Sequence, residues 1–180
     1  HSRKPPATES LRSGEGGAPP SPHCRDDEGA AAIHAAGIPV VFVDTRGINE
    51  GVTFIGTNNE VGAALAADFM CQNLPTGSDV AILQGLVSQS TGQARAEGSK
   101  KGLEACGLKV VAEQTAEWDR AKGLAVTENI LAGNPNIKGI FGSNDNMALG
   151  AVEAVKAAAR AELAKKTGIP ADRLDRIFDA

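Results

Sequence analysis

Residues 79–95 read DVAILQGLVSQSTGQAR, and this stretch decides the fold class. Val80-Ala81-Ile82-Leu83 is a short continuous apolar run, the pattern of a strand covered on both faces. A Gly- and Ser-containing loop at 85–92 follows, then a helix that runs to about Cys106, with Gly107 placed to end it. The same strand–loop–helix unit recurs around three further apolar stretches, 39–43, 108–112 and 137–142. Val40-Val41-Phe42-Val43 predicts another strand buried on both faces, and 52–56 a short connecting strand. Helices are predicted from three sets of apolar spacing. Val61, Leu65 and Phe69 share one face of a helix from about Asn58 to Leu74, closed by Pro75 and Gly77. Leu124, Thr127, Ile130 and Leu131 share a face of a helix capped by Asp119 and broken at Gly133-Asn134-Pro135. Leu149, Val152 and Val155 lie together on a helix that starts at Asp145 and extends toward Lys165. Ala30–Ala36 reads as a helix end, stopped by Gly37 and Pro39. Repeated units of this kind build an α/β fold, a parallel sheet with helices on both faces.

Just past each main strand stands a residue able to grip a polar ligand: Asp44, Arg95, Trp118 and Asn144. In an open parallel sheet such positions line one common crevice. A polyhydroxylated ligand needs acceptors, donors and an aromatic plate for its C–H face. Asp44 accepts, Arg95 donates a fork, Asn144 does both, and Trp118 is the single tryptophan available as the plate. Each has a plainer reading: a turn cap for Asp44, a solvated side chain beside Glu97 and Lys101 for Arg95, a packing lid for Trp118, an N-cap for Asn144. Their shared location favours a ligand site.

Composition narrows the alternatives. The chain has 180 residues, 42% of them hydrophobic, and a net charge of −4. The mild acidity, with no dense Lys/Arg cluster, argues against a nucleic-acid surface. No apolar run approaches the roughly 20 residues needed to span a bilayer, and no signal segment opens the sequence. Residues 1–28 carry Pro5, Pro6, Pro19, Pro20 and Pro22 among Ser, Gly and charges, and are expected to be disordered. Cys24, Cys71 and Cys106 are read as structural or neutral; their odd number excludes complete intramolecular pairing, and none has zinc-ligand spacing. No phosphate loop, nucleophile elbow or HExxH motif is present, and His34 has no base partner. Neither a cofactor nor a catalytic residue is expected.

Five stretches carry a family resemblance: Ala36-Gly37-Ile38-Pro39-Val40-Val41, Asn58-Asn59, Arg95-Ala96-Glu97-Gly98, Trp118 through Leu124, and Asn144 through Gly150. Over about residues 31–158 the chain resembles the sugar-binding type I periplasmic binding proteins, near the ribose-binding branch. The resemblance implies two α/β lobes that close over a monosaccharide or polyol and present it to the membrane permease of an ABC transporter, in the periplasm and without catalysis. It implies Asp44 as hydroxyl acceptor from the amino-terminal lobe, Arg95 and Asn144 as ligand contacts, Trp118 as aromatic wall, and a hinge at Thr57 and Asn58. The related LacI-type repressors imply an alternative, an effector-sensing regulator core; a sugar-processing α/β enzyme is the third reading. The chain departs from the pattern at Thr45, which separates Asp44 from Arg46, and at Ser99, where the family usually has Phe. The pattern also calls for more chain at both ends. Residues 29–57 are therefore expected to be a remnant of the amino-terminal lobe and first hinge, 58–160 the carboxy-terminal lobe, and 161–180 a helical tail outside the family pattern.

Overall fold

A computed structural model describes residues 22–46, 52–170 and 173. The chain divides into two compact units, His1–Val40 and Val41–Ala180. In the first, α1 spans Pro22–Ala35. It starts earlier than the 1–28 boundary suggests, because proline is well suited to the first helical position, where its missing N–H is no loss. Residues 1–21 lie outside the described residues. Gly37 ends the helix with φ +76° and donates its N–H to the His34 carbonyl.

The second unit runs β1 (Val41–Val43), β2 (Thr53–Ile55), α2 (Asn59–Asn73), β3 (Asp79–Gln84), α3 (Ser90–Ala105), β4 (Lys109–Thr115), α4 (Arg120–Gly133), β5 (Gly139–Gly142) and α5 (Asp145–Thr167). All pairings are parallel. Among the described residues the strands do not share one sheet: β1 pairs with β2, while the larger sheet has the order β4-β3-β5. Asp44 thus comes from a different sheet than the other three strand-end residues. Strand β1 is also less buried than its apolar run predicts, with Val43 71% exposed. A two-stranded sheet has no interior strand to bury.

The central strand behaves as its sequence demands. Val80, Ala81, Ile82 and Leu83 are fully buried, and their alternation splits the core in two. Val80 and Ile82 pack with Ala63, Ala67 and Leu103 from α2 and α3, while Ala81 and Leu83 pack with Ile130, Met147 and Ala151 from α4 and α5. The helices within each pair touch almost backbone to backbone. A Cβ on Gly98 would lie 2.2 Å from the Glu60 carbonyl oxygen, and one on Gly150 would lie 2.2 Å from that of Arg120.

This close approach corrects the expected faces. Ala63 and Ala67 are the buried side of α2, whereas Val61, Leu65 and Phe69 stand 54, 65 and 68% exposed. Likewise Met147, Gly150, Ala151 and Ala154 form the buried side of α5, leaving Leu149, Val152 and Val155 half exposed. Asp119 caps α4 through Lys122 N, as its sequence predicts, and Gly168 closes α5 in the left-handed conformation. Residues 171, 172 and 174–180 of the expected tail lie outside the described residues.

Two further features differ from the sequence reading or go beyond it. Cys71 on α2 and Cys106 at the end of α3 are joined by a disulfide, so these two are not free thiols. Odd cysteine count hides such a pair, since it forbids only complete pairing. On α4, Thr127 is fully buried and its hydroxyl has no hydrogen-bond partner among the described residues. Leaving a buried hydroxyl unpaired costs about 1–3 kcal/mol. Thr127→Val, which keeps the shape and removes the orphan, is expected to raise unfolding stability by about 1 kcal/mol in a urea titration.

Candidate functional site

Arg95 lies on the second turn of α3 and is held from three directions. Its Nε donates to Asn59 Oδ1 at 2.8 Å, and its Nη1 donates to the Ser143 carbonyl at 2.9 Å. Its guanidinium carbon sits 5.5 Å from the centre of the Trp118 ring, within cation–π range. Ser143 is itself fixed, because its hydroxyl donates to the Leu83 carbonyl at 2.8 Å. The cation is therefore tied to α2, to the end of β5 and to the loop after β4. The rest of its fork is unused among the described residues.

Trp118 is placed by a strained backbone. Glu117 and Trp118 both adopt positive φ, 51° and 66°, an uncommon conformation for residues with side chains. The indole Nε1 donates to Gln89 Oε1 at 2.7 Å, and the ring fills the space above Gly85 and Gly92. A Cβ on Gly85 would meet the ring at 2.1 Å. Gly85→Ala is accordingly expected to swing the indole away, at about 1–3 kcal/mol of stability. The change is checked by the emission maximum of this single tryptophan. Beside it, Glu117 accepts a hydrogen bond from Lys122 Nζ, which raises the Lys122 pKa above its ordinary value.

Asn144 has two structural roles. Its Oδ1 caps α5 by accepting from Met147 N at 2.9 Å, and its Nδ2 donates to the Trp118 carbonyl at 3.2 Å. A carboxamide offers more valences than these two. Asp44 follows β1 with φ 68°, its N–H donating to the Ile55 carbonyl at 2.9 Å. Its carboxylate is exposed and has no hydrogen-bond or ion-pair partner among the described residues. The next residues reach α3: Thr45 Oγ1 is 3.5 Å from Thr91 Oγ1, and Arg46 N donates to Ser90 Oγ at 3.1 Å.

A recess of about 350 Å³ opens beside the guanidinium, lined among others by Thr57, Asn59, Arg95, Ser143, Asn144 and Asp145. The geometry brings Arg95, Asn144 and Thr57, the last expected at a hinge, together there. Trp118 is joined to the group through Arg95 and Asn144, and Asp44 does not line the recess. Asn58, the other residue expected at the hinge, caps α2, accepting from Val61 N at 3.2 Å. Its neighbour Asn59 is the residue missed by sequence reasoning. The signal was an asparagine doublet where a helix needs one cap. Among the described residues no group of three or more His, Cys, Asp or Glu side chains is gathered for a metal.

A parallel α/β domain with a cation, an amide and an indole past its strand ends has the arrangement in which small-molecule sites form. The periplasmic binding protein domain family matches residues 28–172, and the chain belongs to that family. It is 44% identical over 123 residues to the ribose import binding protein of Haemophilus influenzae, covering 67% of this chain and 42% of that protein. Two solved structures are similar in shape. One is an ABC transporter solute-binding protein of Actinobacillus succinogenes with bound D-allose (TM-score 0.68, 35% identity, 74% of this chain and 50% of that one). The other is the Caulobacter myo-inositol binding protein with myo-inositol (TM-score 0.68, 34% identity, 74% and 47%). The chain spans less than half the length of the curated relatives it matches.

Proposed function

We propose that this chain is the main part of one lobe of a substrate-binding protein for an ABC-type sugar or polyol uptake system, acting in the periplasm. The observation that carries this reading is the Arg95 guanidinium, held 5.5 Å from the centre of the Trp118 ring with part of its fork unused among the described residues. A planar cation takes neighbouring hydroxyls in pairs, and an indole offers an apolar face to ring C–H groups. Asn144 supplies remaining amide valences, and Asp44, on the other sheet and outside the recess, is assigned as a further hydroxyl acceptor. Membrane permease subunits are the natural partners of such a lobe. The Cys71–Cys106 bond supports an oxidising compartment.

On this reading the protein binds its ligand and returns it unchanged. A thermal-shift and calorimetric screen of the purified chain against pentoses, hexoses and sugar alcohols tests it. At least one sugar should stabilise the protein and be recovered intact after incubation. No response across the panel from a folded sample would sink the reading, and a converted sugar would replace it with an enzyme.

A further inference from the structure

Asn59 holds a position that the proposed function does not by itself require. It is the first residue of α2 and only 9% exposed, yet it is polar and both ends of its carboxamide are engaged. Oδ1 accepts from Arg95 Nε at 2.8 Å, while Nδ2 donates to the Thr57 carbonyl at 3.1 Å. The helix does not need it as a cap, because Asn58 already does that. An arginine side chain has many rotamers, and two fixed acceptors select one of them. One acceptor, Ser143 O, is backbone; the other is this side chain.

We propose that Asn59 is the positioning residue of the site. It aims the Arg95 fork into the recess and ties that aim to the Thr57 carbonyl. The segment leading from β2 into α2 and the ligand-facing cation then move as one. A change of backbone at Thr57, as a hinge would produce, is passed to the guanidinium through one carboxamide. The ligand consequence rests on the reading of Arg95 as a sugar contact; the positioning itself does not.

Two substitutions separate the functions of the carboxamide. Asn59→Asp keeps the acceptor for Arg95 and loses the donor to Thr57. Asn59→Leu is close in size and loses both, with Asn59→Ala as a second variant should the leucine prevent folding. The ligand-free readout is the Arg95 Nε–H signal in proton–nitrogen spectra, assigned by its disappearance in Arg95→Lys. Its solvent exchange should be slow in the parent and in Asn59→Asp, and at least about tenfold faster in Asn59→Leu or Asn59→Ala, since the hydrogen bond that shields it is gone. In calorimetric titrations with D-ribose, D-allose and myo-inositol, Asn59→Leu should bind about ten- to a hundredfold more weakly. Asn59→Asp should recover part of that loss. Exchange that is equally slow in Asn59→Leu and the parent would overturn the proposal, as would equal weakening by Asp and Leu. Should the parent bind none of the three, the titration is repeated with any sugar that the wider panel finds; should the whole panel fail, the functional reading fails and the exchange rates alone decide the role of Asn59.

Discussion

Arg95→Ala is expected to lower sugar affinity by about two to four powers of ten, while the protein stays folded. The magnitude follows from two hydrogen bonds between a charged donor and ligand hydroxyls, each about 1.5–3 kcal/mol, at about 1.4 kcal/mol per decade. The loss of fold should be small. Arg95 is only half-buried beside an open recess, so water can replace it at Asn59 Oδ1 and the Ser143 carbonyl. Removing the cation also takes away the partner of the Trp118 ring, and the ligand-free fluorescence of Trp118 should change with it. Calorimetry with the best sugar from the screen measures the first effect. A variant that binds like the parent would remove Arg95 from the site.

The second large effect concerns stability and should leave binding alone. Reducing the Cys71–Cys106 bond, or replacing both residues by alanine, should cost about 3–4 kcal/mol, the chain-entropy value for a loop of this size. The bond closes a sequence separation of 35 residues that includes β3, the most buried strand. For a chain of this length the loss corresponds to a melting temperature lower by about 6–16 °C. The bond lies more than three helical turns from Asn59 along α2, at the far end of the helix pair from Arg95. Sugar affinity of the reduced, still-folded protein should therefore match the oxidised form. Melting curves with and without reductant test this, and coincident curves would mean that the bond does not staple the two helices in solution.

Much of the architecture was legible because β3, β4 and β5 are short apolar runs bounded by turn residues, and because Asp119 and Asn144 stand where helices need caps. The faces of α2 and α5 were not. Periodicity weights large side chains, so it marks Val61, Leu65 and Phe69; the fold instead buries Ala63 and Ala67, because small residues let α2 and α3 approach closely. The seat of Trp118 depends on Gly85 and Gly92, far away in sequence, and no local pattern reports that contact. The disulfide likewise depends on two helix ends meeting in space. At the site, residue type and strand-end position nominated Arg95, Trp118 and Asn144, which the structure links directly. They could not distinguish which member of the Asn58-Asn59 pair caps a helix and which holds the arginine.

Since Trp118 is the only tryptophan, its indole N–H gives a single resolved signal at the centre of the proposed site. Titrating D-ribose or D-allose into the labelled, folded protein tests the central claim most directly. A saturable shift of that signal is expected in the parent, and little or none in Arg95→Ala at the sugar concentrations that saturate the parent. An indole signal that stays fixed in the parent while a sugar demonstrably binds would contradict it.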